Sequence, residues 1–126
     1  MIILTVNEII MIHTKIITTT GGSDGLRDHV LLESAIMSCY QAYGGEDLYP
    51  GVIEKAARLA FGICANHPFI DGNKRTAVTA MLVILRLNNI TVSFSQKELI
   101  SLGLGIADGS LEYEAVAKWI QTHLTM

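Results

Sequence analysis

The stretch from Val52 to Leu87 decides the fold of this 126-residue chain, and it reads VIEKAARLAFGICAN (52–66), HPFIDG (67–72) and NKRTAVTAMLVILRL (73–87). The outer two segments have helical periodicity and are apolar on nearly every side, which is typical of helices at the centre of a bundle. The middle segment breaks the helix, because Pro68 cannot continue it and Gly72 favours a turn. We therefore expect two central helices joined by a short bend, residues 67–72.

Amphipathic patterns on either side of this pair predict four more helices. They cover about residues 6–18, 29–39, 96–107 and 111–124, with Thr5, Asp28 and Ser110 as N-cap residues. The segment Tyr43–Pro50 is too rich in glycine and proline for a helix and predicts a loop or small hairpin. The sequence thus predicts an all-α fold of about six helices, with residues 1–126 forming one domain.

The composition excludes several classes of protein. Half of the residues are apolar and 17% are charged, against about 25% charged in an average globular protein, which excludes a disordered chain. The longest run of large apolar residues, Met81–Leu85, is far too short to cross a bilayer, and the start lacks the basic residues of a signal peptide. The sequence therefore predicts a soluble protein of the cytoplasm.

Charge and cysteine content limit the partners. A net charge of -3 predicts no general attraction to nucleic acid or to an anionic membrane, so a bound anion needs a local site. Cys39 and Cys64 lie in apolar helical patterns without a CxxC spacing, which indicates buried free thiols. The high apolar content leaves two alternatives open, a nearly complete core or an apolar groove for a partner.

The bend carries the residues on which a function can be built. His67 closes the third helix, where its imidazole can take a proton from a hydroxyl. The first N–H groups of the next helix lack partners within the helix and form an anion site, beside which Asp71 can hold Mg²⁺ bridging phosphates. Lys74 and Arg75 stand where the helix dipole disfavours cations by about 0.3–1 kcal/mol each. This placement indicates a bound polyanion such as a phosphate chain.

Each of these residues also has an ordinary structural interpretation. Asp71 alone is a turn residue, Asn73 alone is an N-cap, and Lys74–Arg75 alone is a solvated turn. The remaining three histidines are interpreted as exposed loop residues or helix C-caps: His13, His29 and His123. The charge placement within one short bend is what favours the functional interpretation.

The nine residues HPFIDGNKR (67–75) resemble the signature of the Fic/Doc superfamily, and their Lys-Arg ending resembles its Doc (death-on-curing) toxin branch. The segments GLRDH (25–29), LESA (32–35) and GGEDLYP (44–50) are also similar to Doc-family segments, so the likeness covers nearly the whole chain. The resemblance implies a Fic/Doc-type bundle and a toxin of a toxin–antitoxin pair.

The resemblance also assigns roles to single residues. It implies that His67 is the general base for a hydroxyl of a target protein, Asp71 the Mg²⁺ ligand and Phe69 the structural anchor of the bend. The implied site for the phosphates of ATP comprises Gly72, Asn73, Lys74 and Arg75. The implied flap that docks an extended piece of the target comprises Gly44, Gly45, Glu46, Asp47, Leu48 and Tyr49. An ordinary loop between helices remains the alternative for the flap.

Two positions bear on the reaction that the resemblance implies. Fic proteins that transfer AMP usually have glycine where this chain has Lys74, and a second arginine where it has Val78. In the Doc branch these changes accompany ATP bound in the reverse sense. The resemblance therefore implies a kinase that phosphorylates Ser or Thr of a target, suggested by the family to be elongation factor Tu, and arrests translation. A transferase of AMP or another nucleotide and a catalytically silent binding module remain alternatives.

The resemblance further implies a separate inhibitor. Other Fic proteins carry an inhibitory element of the form Ser/Thr-x-x-x-Glu-Gly/Asn. Here Ser110 and Glu114 have the spacing, but Ala115 follows. We therefore expect a cognate, Phd-like antitoxin whose helix lies in an apolar groove of this chain.

Overall fold

Six α-helices make up most of the chain in a computed structural model that describes residues 1–125. They are α1 (Val6–Thr20), α2 (His29–Met37), α3 (Val52–Asn66), α4 (Asn73–Leu87), α5 (Gln96–Ala107) and α6 (Tyr113–Thr122). A single 3₁₀ turn (Ser38–Tyr40) follows α2, and a hairpin of two short strands, β1 (Ala42–Tyr43) and β2 (Glu46–Asp47), leads to α3. The predicted all-α class and the predicted number of helices are confirmed.

α3 and α4 lie at the centre of the fold, as their all-round apolar pattern predicts. The side chains that they bury in the core are Ala56, Ala57, Leu59, Ala60, Ile63, Cys64, Ala77, Val78, Ala80, Met81, Ile84 and Leu85. α2 and α6 pack against α3, while α1 and α5 pack against α4. The bend between α3 and α4 is therefore bordered by α1 on one side and by α5 on the other.

Side-chain caps set three of the six helix starts. Thr5 and Ser95 each form a capping box with a glutamate three residues later, and Asp28 accepts the N–H of Leu31. The predicted cap at Ser110 is wrong, because α6 begins at Tyr113 with Glu112 as its N-cap. The N–H of Ser110 is instead bound by the Asp108 carboxylate in the turn that precedes the helix.

Both cysteines are buried and free, as the sequence predicts. Burial raises the pKa of the Cys39 thiol to about 11 and that of the Cys64 thiol to about 11. Each thiol is therefore a packing group. Within residues 1–125, none of the helices combines the length and the apolar character that a membrane span requires.

The hairpin confirms the interruption predicted at Tyr43–Pro50. Its four strand residues are exposed, and a two-stranded ribbon of this size is not stable on its own. It is held at its base by Lys55, a buried residue in the first turn of α3. The Lys55 ammonium donates to the backbone oxygens of Cys39 and Tyr49, so the hairpin is tied to the amino-terminal end of α3.

Candidate active site

His67 follows the last residue of α3 and is exposed. Its backbone has φ 49° and ψ 56°, a left-handed conformation that is uncommon for a residue with a side chain and disfavoured before a proline. The N–H of His67 still bonds to the Ile63 carbonyl at 3.1 Å, which ends the helix. The strained backbone therefore turns the chain out of α3 at the residue that carries the imidazole.

Arg27 holds the carbonyl groups at the end of α3. Its Nε donates to the His67 oxygen at 2.7 Å, and its Nη2 donates to the Asn66 oxygen at 3.0 Å. These oxygens have no partner within the helix, and a cation at the carboxyl end of a helix interacts favourably with the helix dipole. Arg27 therefore fixes the backbone that presents His67.

Asn73 is the first residue of α4, and its side chain is turned inwards. The carboxamide Oδ1 accepts the Phe69 N–H at 2.9 Å, and Nδ2 donates to the Phe69 oxygen at 2.9 Å. The same Nδ2 lies 3.3 Å from Nδ1 of His67. The Asn73 side chain therefore stabilises the bend. The group of Asn73 that can bind an anion is its backbone N–H.

Phe69 anchors the bend in the core and is 1% exposed. Its ring is stacked on the imidazole of His13 in α1, with centroids 3.9 Å apart and planes 6° from parallel. His13 is itself 1% exposed, so the interpretation of His13 as an exposed loop residue or helix cap is wrong. Of the other two histidines, His29 is exposed at the start of α2 and His123 is the C-cap of α6.

Asp71 is half exposed, and both oxygens of its carboxylate accept backbone hydrogen bonds. Oδ2 accepts the N–H of Ser23 at 3.1 Å, and Oδ1 accepts the N–H of Gly72 at 2.8 Å. These two bonds, helped by the Arg75 guanidinium at 3.8 Å, hold the pKa of Asp71 below its usual range. The carboxylate is therefore charged at neutral pH and keeps lone pairs for a cation.

Lys74 and Arg75, the two cationic residues near the start of α4, are held by different contacts. Arg75 Nη1 donates to Thr20 Oγ1 at 2.6 Å and to the Gly21 oxygen at 2.9 Å, which ties the guanidinium to the end of α1. Lys74 is exposed, and its stem runs along α5 so closely that a Cβ on Gly103 would come within 3.1 Å of Lys74 Cγ. Both charges thus stay beside the start of α4.

The amino terminus of α4 opens on a cavity of about 370 Å³. It is lined by His67, Ile70, Asp71, Gly72, Asn73, Lys74 and Arg75. Gly72 is the N-cap, with φ 77°, and it provides no side chain to bond the first N–H groups of the helix. These N–H groups, a lysine and an arginine give the cavity the donors and positive charge that a phosphate chain requires.

A second cavity of about 390 Å³ adjoins the first along the groove between α4 and α5. Lys74 and Arg75 line both cavities. The second is largely apolar and is further lined by Val78, Thr79, Gln96, Leu99, Ile100 and Gly103. It has the size and the apolar character of a small-molecule pocket or of a groove for an apolar side chain.

Asp71 fits a magnesium ion that is shared with phosphates. Among residues 1–125, there is no cluster of three metal-ligating side chains. Mg²⁺ usually takes one or two carboxylates and completes its shell with phosphate oxygens and water. One ionised carboxylate at the edge of an anion cavity matches that requirement.

The structure does not bring the predicted flap to the bend. Lys55, which anchors the hairpin, lies in the first turn of α3, and His67 follows its last residue, which separates them by about 18 Å at 1.5 Å per residue. The hairpin that contains Gly44, Gly45, Glu46, Asp47, Leu48 and Tyr49 is thus anchored at the opposite end of α3 from the imidazole.

The segment that does lie against the bend is Gly21–Asp28, between α1 and α2. Leu26 forms an antiparallel bridge with Phe69. On either side of the bridge, Arg27 N–H donates to the Pro68 oxygen at 2.7 Å and Ile70 N–H donates to the Gly25 oxygen at 3.0 Å. We name residues 21–28 the edge segment. The segment overlaps residues 25–29, which resemble Doc-family sequences, but no sequence pattern predicts that the segment contacts the bend.

Comparison with known proteins agrees with the signature. The family model described as Fic/DOC family matches residues 3–85. "Toxin Doc" of Mycolicibacterium smegmatis is 37% identical over 73 residues, which are 58% of this chain and 56% of that protein. "Protein kinase doc" of Escherichia phage P1 is 34% identical over 110 residues, which are 87% of this chain and 86% of that protein. The match spans little more than half of the first relative and most of the second.

Proposed function

Because this chain belongs to the Fic/DOC family, we propose that it is a Doc-type toxin that transfers the γ-phosphate of ATP to a Ser or Thr hydroxyl of a cytoplasmic target protein. The observation that carries the proposal is the exposed His67 beside the uncapped amino terminus of α4, at one cavity with Asp71, Lys74 and Arg75. The phage P1 relative is named as a protein kinase, which supports phosphate transfer over AMP transfer.

In this proposal each residue of the bend has one task. The backbone N–H of Asn73 and the side chains of Lys74 and Arg75 bind the phosphates of ATP, and Gly72 provides no side chain that would cap the start of α4 in their place. Asp71 is the side chain that would hold Mg²⁺, which when bound would neutralise charge on the phosphates. The target hydroxyl then attacks the γ-phosphorus, its oxygen forms the new P–O bond, and the bond to ADP breaks.

His67 takes the proton of the attacking hydroxyl. The nitrogen available for this is Nε2, because Nδ1 faces Asn73 at 3.3 Å. A neutral ring that accepts at Nε2 carries its own proton on Nδ1, which removes the acceptor for Asn73 Nδ2. At 3.3 Å this contact is long for a hydrogen bond, so the ring loses little stabilisation when it adopts this tautomer.

We place the docking of the target at the edge segment. In an antiparallel bridge the groups of the two flanking residues bond to the partner strand, so the N–H and C=O of Leu26 point away from Phe69. An extended piece of the target can pair with these groups and bring its hydroxyl to His67. Tyr43→Ala with Leu48→Ala tests the hairpin instead. An unchanged KM for the target supports the edge segment, and a raised KM supports the hairpin as the flap.

A cognate antitoxin completes the proposal. Ile100 and Leu104 on α5 are half exposed beside the apolar groove between α4 and α5. The apolar face of an antitoxin helix fits this groove and would lie next to Lys74 and Arg75. Ile100→Asp with Leu104→Asp should leave growth arrest intact and abolish its neutralisation by the co-expressed antitoxin.

The decisive experiment compares two radiolabels. Elongation factor Tu is incubated with the purified protein and ATP labelled on either the α- or the γ-phosphate. We expect label on the target from γ-labelled ATP alone, which is lost in His67→Ala and Asp71→Ala variants of unchanged helical content. Label from α-labelled ATP would instead show AMP transfer. Absence of label from both, with antitoxin binding intact, would show a silent binding module.

A further inference from the structure

His13 is buried, and the proposed reaction assigns it no role. It lies in α1, is 1% exposed, and stacks on Phe69. Its Nε2 is 2.7 Å from the backbone oxygen of Asp71. Because a carbonyl oxygen can only accept, Nε2 must carry the proton in this bond. The imidazole is thus held on its face by the Phe69 ring and at its edge by the Asp71 oxygen, which makes it a rigid support for the bend.

The hydrogen bond acts on a single peptide unit that reaches the Asp71 carboxylate. The oxygen that His13 binds belongs to the same planar peptide as the N–H of Gly72. That N–H donates to Asp71 Oδ1 at 2.8 Å. By fixing the oxygen end of the peptide, His13 fixes the direction of the N–H at its other end. The orientation of the carboxylate thus depends on a histidine of another helix.

The packing around Gly72 points to the same support. A Cβ on Gly72 would come within 3.6 Å of His13 Nε2 and within 3.1 Å of Ile17 Cδ1. His13 and Ile17 are one turn apart on the buried face of α1. The bend therefore rests directly on α1 at the point where the hydrogen bond is made.

We infer that His13 is a positioning residue that holds the Asp71–Gly72 peptide, and through it the Asp71 carboxylate, in the orientation for binding a divalent cation with nucleotide phosphates. This inference rests on the proposed function of Asp71. His13 does not touch the substrate, so its substitution acts on the cation-dependent part of nucleotide binding.

Two variants separate the hydrogen bond from the packing. His13→Phe keeps a ring stacked on Phe69 and loses the donor, whereas His13→Gln keeps a donor near the position of Nε2 and loses the stack. The affinity of each for the non-hydrolysable ATP analogue with a β,γ-imido bridge is measured by calorimetry, with Mg²⁺ and with EDTA. His29→Gln, an exposed histidine, is the control variant.

We expect the Phe variant to lose about tenfold in affinity with Mg²⁺, as for a lost hydrogen bond to a partly buried carbonyl, and the Gln variant to retain the wild-type value within about threefold. In EDTA all variants should bind alike. A Phe variant that binds like the wild type in Mg²⁺, or that loses the same factor in EDTA, would overturn the inference.

Two measurements without nucleotide keep this test separate from the proposed function. Amide hydrogen exchange at residues 70–75 should be faster in the Phe variant than in the Gln variant. In wild-type protein, nitrogen NMR should show a proton of His13 on Nε2, and a ring protonated on Nδ1 alone would overturn the inference even if the Phe variant fails to fold. Wild-type protein that binds no nucleotide would refute the proposed function and leave these two results valid.

Discussion

Gly22 makes the space that the Asp71 carboxylate fills: a Cβ on Gly22 would come within 2.6 Å of Asp71 Oδ2. The same atom would lie 3.1 Å from Nη2 of Arg75, and Gly22 has φ 118°, which side chains rarely adopt. The second glycine of the pair that ends α1 is therefore part of the candidate active site.

We expect Gly22→Ala to displace the Asp71 carboxylate and to weaken Mg²⁺-dependent nucleotide binding at least about tenfold, with a stability loss of about 1–3 kcal/mol from the strained backbone. Gly109→Ala is the control, because Gly109 also has positive φ but has no atom within 4 Å of the added Cβ. Calorimetry and urea denaturation check both. Equal loss of binding in the two variants would contradict the steric explanation.

Asn73→Ala should destabilise the protein by about 2–4 kcal/mol, because it leaves the N–H and the C=O of Phe69 buried without partners. Urea denaturation measures this loss. Asn7→Ala, an exposed position in the first turn of α1, should stay within about 0.5 kcal/mol of the wild type. A loss below about 1 kcal/mol in Asn73→Ala would show that the bend keeps its shape without the carboxamide.

Substitutions at His67 should separate stability from activity. At φ 49°, glycine avoids the penalty that any side chain incurs, so His67→Gly should be about 1 kcal/mol more stable than His67→Ala. Both variants should lose phosphate transfer, since both lack the imidazole. Thermal denaturation and the γ-label assay check the two statements. Equal stability of the variants would show that the left-handed backbone is not maintained in solution.

The pair of Glu98 and His123 should make stability depend on pH. Nε2 of His123 donates to Glu98 Oε2 at 2.6 Å, and Nδ1 lies 2.7 Å from the Trp119 oxygen, so both ring nitrogens donate and the charged ring fits best. The bond to Glu98 raises the pKa of His123 above 6.5. The Ser95 N–H and His123 lower the pKa of Glu98 to about 2.

The raised histidine pKa stabilises the fold below pH 6.5, and this contribution is lost as the pH rises through the folded value. The lowered glutamate pKa stabilises it above pH 4.5, and this contribution is lost as the pH falls towards 2. The melting temperature of the wild type should therefore exceed that of His123→Gln most between pH 4.5 and 6.5. A difference that grows from pH 6.5 to pH 9 would contradict this assignment.

The sequence predicts the helices well because their determinants are local. Pro68 and Gly72 delimit the bend, and α3 and α4 have the bounds that were expected from their apolar patterns. Local signals also explain the caps at Thr5 and Asp28. The start of α6 differs from the prediction because the N–H of Ser110 is bound by the Asp108 carboxylate in a turn, and Ser110 does not cap the helix.

The site was less predictable, because its supports come from distant parts of the chain. His13 is 58 positions from Asp71, and Arg27 is 40 positions from His67. A signal for His13 did exist, since it shares the helical spacing of Ile9 and Ile17, which are both buried. The edge segment carried no comparable signal, because a bridge between two irregular segments leaves no periodic pattern in either.

Because both native cysteines are buried, this chain is suited to fluorescent labelling at a single introduced cysteine. With each thiol pKa raised to about 11, hardly any thiolate exists at neutral pH, and neither sulfur is accessible to a maleimide dye. A single cysteine introduced at the tip of the hairpin would be labelled in the presence of both. The distance between that tip and a fluorescent nucleotide can thus be followed in otherwise wild-type protein.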